Sequence, residues 1–354
     1  MRKALVVGVS DYLHLDDAPG SSVAAAALAR SLSEGCEGDP RETGWDPLTV
    51  LASKPGEPLT GRALHEGLTA TLKGCTELLF YFSGHGLAVP AKNDLWLASS
   101  EHEPFGPDAG LSLSAAMNQI ALTPTMERAT IILDCTNSAV IRTMAVPDGQ
   151  IVMTVAEAVD RDGGWLAPRE QLAFSDALRE GLDGEAKDAM GKITVLSLFA
   201  YASKRLSDSQ RWEPILVGRM VGARLLRQVK GLGLEEISRL PEVFTEADAV
   251  VGVSPDHEWP TVAEVRAPYE FRSRPQDWSE DKLDEYVRTG VLSGSDRDSQ
   301  RQQQYFKRLR DAGLLRVTRP ENQDLFWACL SNEGRVGLTE LGRYYWKLAK
   351  DKML

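Results

Sequence analysis

Cysteine is scarce in this chain, and its four cysteines stand far apart. No apolar run reaches the roughly 18 residues that a membrane span needs. The N-terminus enters a strand-like segment by Ala4, without the charged and apolar stretches of a signal peptide. We therefore expect a cytoplasmic chain with no membrane partner. The sequence suggests neither a disulfide framework nor a close pair of thiol ligands among Cys36, Cys75, Cys135 and Cys329.

Several other signatures are missing as well. The sequence has no glycine-rich phosphate loop, no paired metal ligands and no carboxylate pair of the glycosidase type, so we expect no bound cofactor or metal. The net charge is −11, yet residues 301–354 carry eleven Lys or Arg against six Asp or Glu. The negative charge of the residues before 301 argues against broad nucleic-acid binding by that part of the chain. The positive charge of residues 301–354 indicates that they belong to a separate structural unit.

Strand-like and helix-like segments alternate through the first two hundred residues. This order predicts an α/β domain over residues 1–225, with a mostly parallel sheet flanked by helices. The predicted strands are 3–9, 47–52, 77–83, 94–98, 129–135 and 150–155. The predicted helices are 22–33, 61–72, 113–121, 171–181 and 195–206, and residues 160–169 are predicted to form an exposed loop.

The pattern changes in the last third of the chain. Residues 226–275 are interrupted by prolines and are interpreted as a connecting region with one strand at 250–253. From 276 to 354 we predict a smaller, mostly helical domain. Its expected elements are helices 281–289 and 296–312 (stopped by Gly313), a hairpin of 314–318 and 325–330, and a helix from Thr339.

Two motifs point to a site. The apolar run 79–86 ends in Ser83-Gly84-His85-Gly86, and the run 129–136 ends in Asp134-Cys135-Thr136. Polar residues that follow buried parallel strands meet at the carboxyl edge of a sheet. A His after one strand and a Cys after another are typical of a nucleophilic pair, with His85 as base and Cys135 as nucleophile. The Gly86 amide could then stabilise an oxyanion.

At these residues the chain resembles the caspase-like cysteine peptidases, in particular the bacterial relatives of metacaspases. The resemblance includes the first strand and the full Ser-Gly-His-Gly phrase, and it continues through 94–97, 172–182, 191–195 and 210–218. It implies a caspase-type sheet and a cysteine endopeptidase in a bacterial signalling or defence setting. It also implies an acidic pocket of Asp134, with Asp11 and Ser83, that selects Lys or Arg. Relatives often need Ca²⁺ for activation.

One residue departs from that family. Its phrase is Asp, any residue, Cys, any residue, Ser, Gly, whereas this chain has Thr136 at the nucleophile position and Cys135 one place early. Side chains alternate along a strand, so Cys135 points the other way unless a bulge turns it back. His85 could instead be a structural histidine, Cys135 a core residue and Asp134 a cap. The alternative to a peptidase is therefore a pseudocaspase that acts as a regulatory or binding module.

The C-terminal order of elements resembles a winged helix-turn-helix module. The phrase 308–315 looks like its recognition helix running into the wing, and 338–342 looks like the helix that follows. Such a module could bind DNA or dock a protein partner. The basic residues that could contact phosphates are Arg301, Lys307, Arg308 and Arg310.

Overall fold

The structure is a computed structural model that describes residues 1–34, 44–103, 110–157, 172–207, 212–219, 224–253, 279–289, 296–321, 323–330 and 333–353. The predicted loop 160–169 and Cys36 lie outside these residues. The chain divides into two compact units, Met1–Lys230 and Gly231–Leu354.

The first unit is built on a six-stranded sheet. Its strands are β1 Arg2–Gly8, β2 Leu48–Ala52, β3 Glu77–Gly84, β7 Arg128–Cys135, β8 Gln150–Glu157 and β10 Trp212–Gly218. Their order is β10-β8-β7-β3-β1-β2, and β10 alone runs antiparallel to its neighbour. The central strands are buried on both faces, which explains their continuous apolar runs.

Helices cover both faces of this sheet. One face, which includes Phe80 and Leu133, packs on α2 Gly61–Leu72 and α3 Leu113–Ala121. The opposite face, which includes Tyr81, packs on α1 Ser21–Ser33, α4 Ala173–Glu180 and α5 Val195–Ser207. The predicted class, α/β with a mostly parallel sheet flanked by helices, is confirmed.

Two small sheets complete the first unit. The strands β4 Gly86–Val89, β5 Asp94–Ala98 and β6 Gly110–Ser112 form an antiparallel sheet that follows the carboxyl end of β3. The predicted strand 94–98 therefore exists, but it belongs to this small sheet and not to the main one. β9 Lys192–Thr194 pairs with β11 Leu225–Gln228.

The second unit combines short helices with a three-stranded sheet. Its helices are α6 Leu234–Ser238, α7 Leu240–Val243, α8 Glu280–Thr289, α9 Asp296–Asp311, α10 Leu325–Leu330 and α11 Glu340–Lys350. Its strands are β12 Val250–Gly252, β13 Leu315–Arg319 and β14 Arg335–Leu338, in the order β12-β14-β13. Because β12 pairs with β14, part of the predicted connecting region belongs to this sheet.

The predicted hairpin is wrong in its second strand. Residues 325–330 form α10, and β13 pairs instead with β14. Leu325, Ala328 and Cys329 are fully buried at helical spacing, and the Asp324 carboxylate accepts a hydrogen bond from the Trp327 amide. A cap and a buried helical stripe outweigh the strand preference of the aromatic run.

The other C-terminal boundaries agree with the sequence. Gly313 has a φ of +71° after α9, as expected of a glycine that ends a helix. Thr339 caps α11 by accepting from the Gly342 amide at 3.0 Å. No helix in the described part of the chain is long and apolar enough to cross a membrane.

Candidate active site

His85 stands alone between β3 and β4, where the main sheet passes into the small one. Its amide donates to the Tyr12 hydroxyl at 2.8 Å, and the two rings lie 4.7 Å apart between centroids. Its Nε2 lies 2.7 Å from the Asp16 carbonyl oxygen. A carbonyl only accepts, so this contact places a proton on Nε2.

Strand pairing brings the two motifs to the same edge of the sheet. Gly84 is the register partner of Cys135, and Ser83 is the partner of Asp134. A cavity of about 50 Å³ opens there. Its lining includes the predicted base His85 and both candidate nucleophiles, Cys135 and Thr136. It also includes two of the three predicted pocket residues, Ser83 and Asp134, together with Ser21 of α1.

Cys135 is half-buried and packs against the core on the Phe80 face of the sheet. Among the contacts of the described residues, its sulfur has no hydrogen bond to the His85 ring. Withdrawal from water raises the pKa of the Cys135 thiol, and the nearby Asp134 charge raises it further. The thiolate, which is the reactive form of cysteine, is therefore disfavoured here.

Thr136 is hydrogen-bonded to the residue after His85. Its hydroxyl accepts from the Gly86 amide at 3.1 Å and donates to the Gly86 carbonyl at 2.9 Å. The Asn137 side chain donates to the same carbonyl at 2.8 Å. We call this arrangement the Gly86 clamp. It occupies both the hydroxyl at the family's nucleophile position and the amide predicted to stabilise an oxyanion.

Asp134 faces the opposite side of the sheet and is only 7% exposed. Its carboxylate accepts from the Ser175 amide at 3.2 Å and also from the Ser175 hydroxyl. The Ser175 hydroxyl lies 2.6 Å from that of Tyr81. Burial raises the pKa of Asp134 to about 7, although the bonds from Ser175 act in the opposite direction.

Ser175 belongs to the first turn of α4. The Asp134 carboxyl therefore satisfies a free amide at a helix start, in the way that an N-cap residue does. This contact agrees with the alternative interpretation of Asp134 as a cap, and it engages the carboxyl that a basic substrate side chain would need.

Of the other two predicted pocket residues, Ser83 lies in the cavity and Asp11 does not. Ser83 is 1% exposed and lines the cavity beside Asp134. Asp11 is not among the described lining residues, and its carboxylate accepts from the Ser53 hydroxyl at 3.1 Å. The sequence reasoning missed Ser175 and the positioning role of Tyr12. Tyr12 lies in the segment that resembles the family's first strand. No sequence pattern near Ser175 indicates that it bonds to Asp134.

Substitution of Gly86 tests how tightly the site is packed. A Cβ at this position would lie 2.3 Å from the Thr136 carbonyl oxygen and 2.9 Å from the Cys135 sulfur. The main chain at Thr136 moves less readily than a side chain would. We therefore expect Gly86→Ala to lower the free energy of unfolding by about 3 kcal/mol, the upper end of the range for overpacked substitutions. Urea denaturation measures the loss.

The matched control for that substitution is Gly67→Ala, in the middle of α2. Its one close contact among the nearest atoms would be with the end of the Leu51 side chain, at 2.6 Å, and that side chain can rotate away. Alanine also favours the helix by about 1 kcal/mol over glycine. We therefore expect the free energy of unfolding of Gly67→Ala to be close to that of the wild type. An equal loss of that free energy in both variants would contradict the specific role of packing around Gly86.

Within the described residues, no group of three or more His, Cys, Asp or Glu side chains could hold a metal ion. Cys75 and Cys135 are free thiols.

The chain has similar folds among solved structures. No family model matches the chain, and no curated protein matches it either. Among solved structures, the chain is similar to caspase-1 from Spodoptera frugiperda, with a TM-score of 0.42 and 14% sequence identity. The match covers 65% of this chain and 91% of that one.

Proposed function

We propose that the first unit is a caspase-type domain without peptidase activity, which acts as a regulatory or protein-binding module. The observation that carries this proposal is the Gly86 clamp. The hydroxyl of Thr136 bonds to both the amide and the carbonyl of Gly86, so neither a nucleophile nor an oxyanion donor is available at that position.

The chemistry of the side chains supports the same conclusion. A threonine hydroxyl is a weak nucleophile unless a base activates it. The Thr136 hydroxyl is instead held by backbone groups, and the Nε2 of His85 bonds to a carbonyl oxygen. Cys135 keeps its proton because its pKa is raised. The Thr136 hydroxyl and the Gly86 amide are therefore engaged with each other, and the Cys135 thiol is not activated.

The cavity also favours binding without turnover. The Asp134 carboxyl in its lining already accepts a hydrogen bond from the Ser175 amide. A protein segment could dock at this edge of the sheet, but entry of a basic side chain would require Asp134 to release Ser175. No cofactor enters this proposal, and Ca²⁺ activation remains an implication of the family resemblance.

A second candidate function is a cysteine endopeptidase that cleaves after Arg or Lys. One observation favours it: Cys135 lines the same cavity as His85. In that mechanism His85 removes the thiol proton, Cys135 attacks the carbonyl carbon, and the Gly86 amide stabilises the oxyanion after Thr136 has moved. Asp134 then selects the basic side chain. The expected setting is bacterial signalling or defence.

Fluorogenic peptides that differ only in the residue before the scissile bond separate the two functions. We expect no cleavage of Arg, Lys or Asp peptides by the wild-type chain, with or without Ca²⁺. Cleavage after Arg that disappears in both Cys135→Ala and His85→Ala would overturn the proposal and establish the second candidate. Preference for Asp over Arg would remove the pocket role of Asp134.

A further inference from the structure

The strand β2 forms one edge of the six-stranded sheet, and among the described residues it pairs only with β1. The Pro47 carbonyl accepts from the Ala4 amide at 3.2 Å, and the Ser53 amide donates to the Gly8 carbonyl at 3.0 Å. Main-chain groups alternate between the two sides of a strand. The odd-numbered residues of β2 therefore face β1, and the even-numbered ones direct their amides and carbonyls outward. The outward-directed residues are Leu48, Val50 and Ala52.

This outer edge of β2 is accessible and unpaired. Val50 is 42% exposed, and the other four residues of the strand are partly exposed. No hydrogen bond within the described ranges uses the amide or the carbonyl of Leu48, Val50 or Ala52. A row of free donors and acceptors along an edge strand is a template on which another strand can pair.

The two edges of the sheet differ in how they are protected from such pairing. At the opposite edge, β10 contains Pro214, which has no amide hydrogen, and Glu213, which forms an ion pair with Arg142. Proline and charge are the devices with which natural edge strands prevent pairing. The sequence of β2, Leu-Thr-Val-Leu-Ala, contains neither. The edge that remains open to another strand is therefore β2.

The main chain of β2 is complementary to a second copy of itself. When two copies pair antiparallel about a two-fold axis at Val50, each Val50 lies opposite the other, and Leu48 lies opposite Ala52 of the second copy. All three residues direct their main-chain groups outward, so each amide meets a carbonyl, as in the hydrogen-bonded pairs of an antiparallel ladder. A two-fold interface uses the same patch on both copies.

The side chains fit the same arrangement. The exposed Val50 side chain is buried against its own copy, and no like charges meet within the strand pair. Antiparallel pairing also places the start of one strand beside the end of the other, so the exposed Asp46 lies near Lys54 of the second copy. Lys54 pairs with Glu57 at 3.4 Å, but 71% of its side chain is exposed and such surface pairs contribute little.

We propose that β2 is a homodimer interface, through which two copies of the chain join their main sheets edge to edge. This association is independent of the cavity at the carboxyl edge of the sheet and of the function proposed for it. A pair of five-residue strands buries less surface than a standard interface. The dimer is therefore reversible, with a dissociation constant of about 10 μM.

Sedimentation velocity of the full chain between about 1 and 200 μM, a range that spans this constant, tests the proposal. Val50→Lys places two like charges opposite each other on the axis, and it should raise the dissociation constant at least about tenfold. Val50→Thr keeps a β-branched side chain and should still dimerise. Leu122→Lys is the charge-matched control: Leu122 is 81% exposed at the end of α3, away from β2, and the variant should dimerise like the wild type.

Disulfide formation tests the register of the two strands. Hydrogen-bonded partners in an antiparallel pair have Cα atoms about 5.5 Å apart, a separation that a disulfide spans. Under mild oxidation Val50→Cys should therefore crosslink two chains faster than the wild type, whose own cysteines give the background. Ala52→Cys exposes a thiol on the same edge, but about 13 Å from its symmetry mate, and should stay at that background.

Three results would each overturn the proposal. The first is a wild-type chain that stays monomeric over the whole concentration range. The second is an equal tendency of Val50→Lys and Leu122→Lys to dimerise, and the third is crosslinking of Ala52→Cys as fast as that of Val50→Cys. Circular dichroism checks that each variant folds, and the crosslinking comparison decides the outcome should Val50→Lys fail to do so.

Discussion

Peptide cleavage should appear when Thr136 is replaced by cysteine. Thr136→Cys places a thiol at the position that the family resemblance predicts for the nucleophile, in the cavity that His85 also lines, and it removes the hydroxyl that bonds to both the amide and the carbonyl of Gly86. One substitution thus supplies a nucleophile and frees an oxyanion donor. We expect hydrolysis of an Arg-containing fluorogenic peptide at least about 100-fold above the wild type, the lower end of what a positioned base contributes.

Two variants control this experiment. Thr136→Ser keeps a hydroxyl that can form the Gly86 clamp and should remain inactive. Adding His85→Ala to Thr136→Cys should abolish the new activity, because the thiol then loses its base. If Thr136→Cys is inactive although folded, the clamp is not what silences the site. Ala139, which stands where the family has glycine, would then be the next residue to exchange.

The stability of the first unit should fall as the pH rises from about 4 to about 7. The pKa of Asp134 is raised from 3.8 to about 7 by burial, so the folded chain holds a proton that the unfolded chain releases at lower pH. The free energy of unfolding therefore decreases across this window, by as much as about 4 kcal/mol. Below about pH 4 both states are protonated and the penalty is absent.

Asp134→Asn should remove that pH dependence. The amide cannot ionise, and its oxygen can still accept from Ser175. The variant should be more stable than the wild type by about 2–4 kcal/mol at pH 8 and nearly equal to it at pH 4, measured by urea denaturation. The exposed Asp176, in the same turn of α4 as Ser175, provides the control: its charge makes the smallest contribution to the raised pKa of Asp134, so Asp176→Asn should keep most of the wild-type slope. Parallel curves for wild type and Asp134→Asn would contradict the buried titration.

Local patterns in the sequence predicted the elements well, with the bounds of α2 and α3 matching the observed ones residue for residue. Helix 325–330 was missed because a run of six apolar and aromatic residues fits either period. Its helical form depends on the Asp324 cap and on burial of one side against its own unit. Neither is visible in the run itself.

The sequence alone determined the alternation of strands and helices and the placement of His85 and Cys135 after two buried strands. Its resemblance to the caspase-like family also predicts that Thr136 occupies the nucleophile position. The tertiary structure decided what those residues contact: Thr136 with Gly86, fifty positions away, and Asp134 with Ser175, forty-one positions away. The spacing of apolar residues within a segment is a local property of the sequence, and it is the same before and after the chain folds. A hydrogen-bond partner depends on strand register and on which helix lies over the sheet, and these exist only after packing.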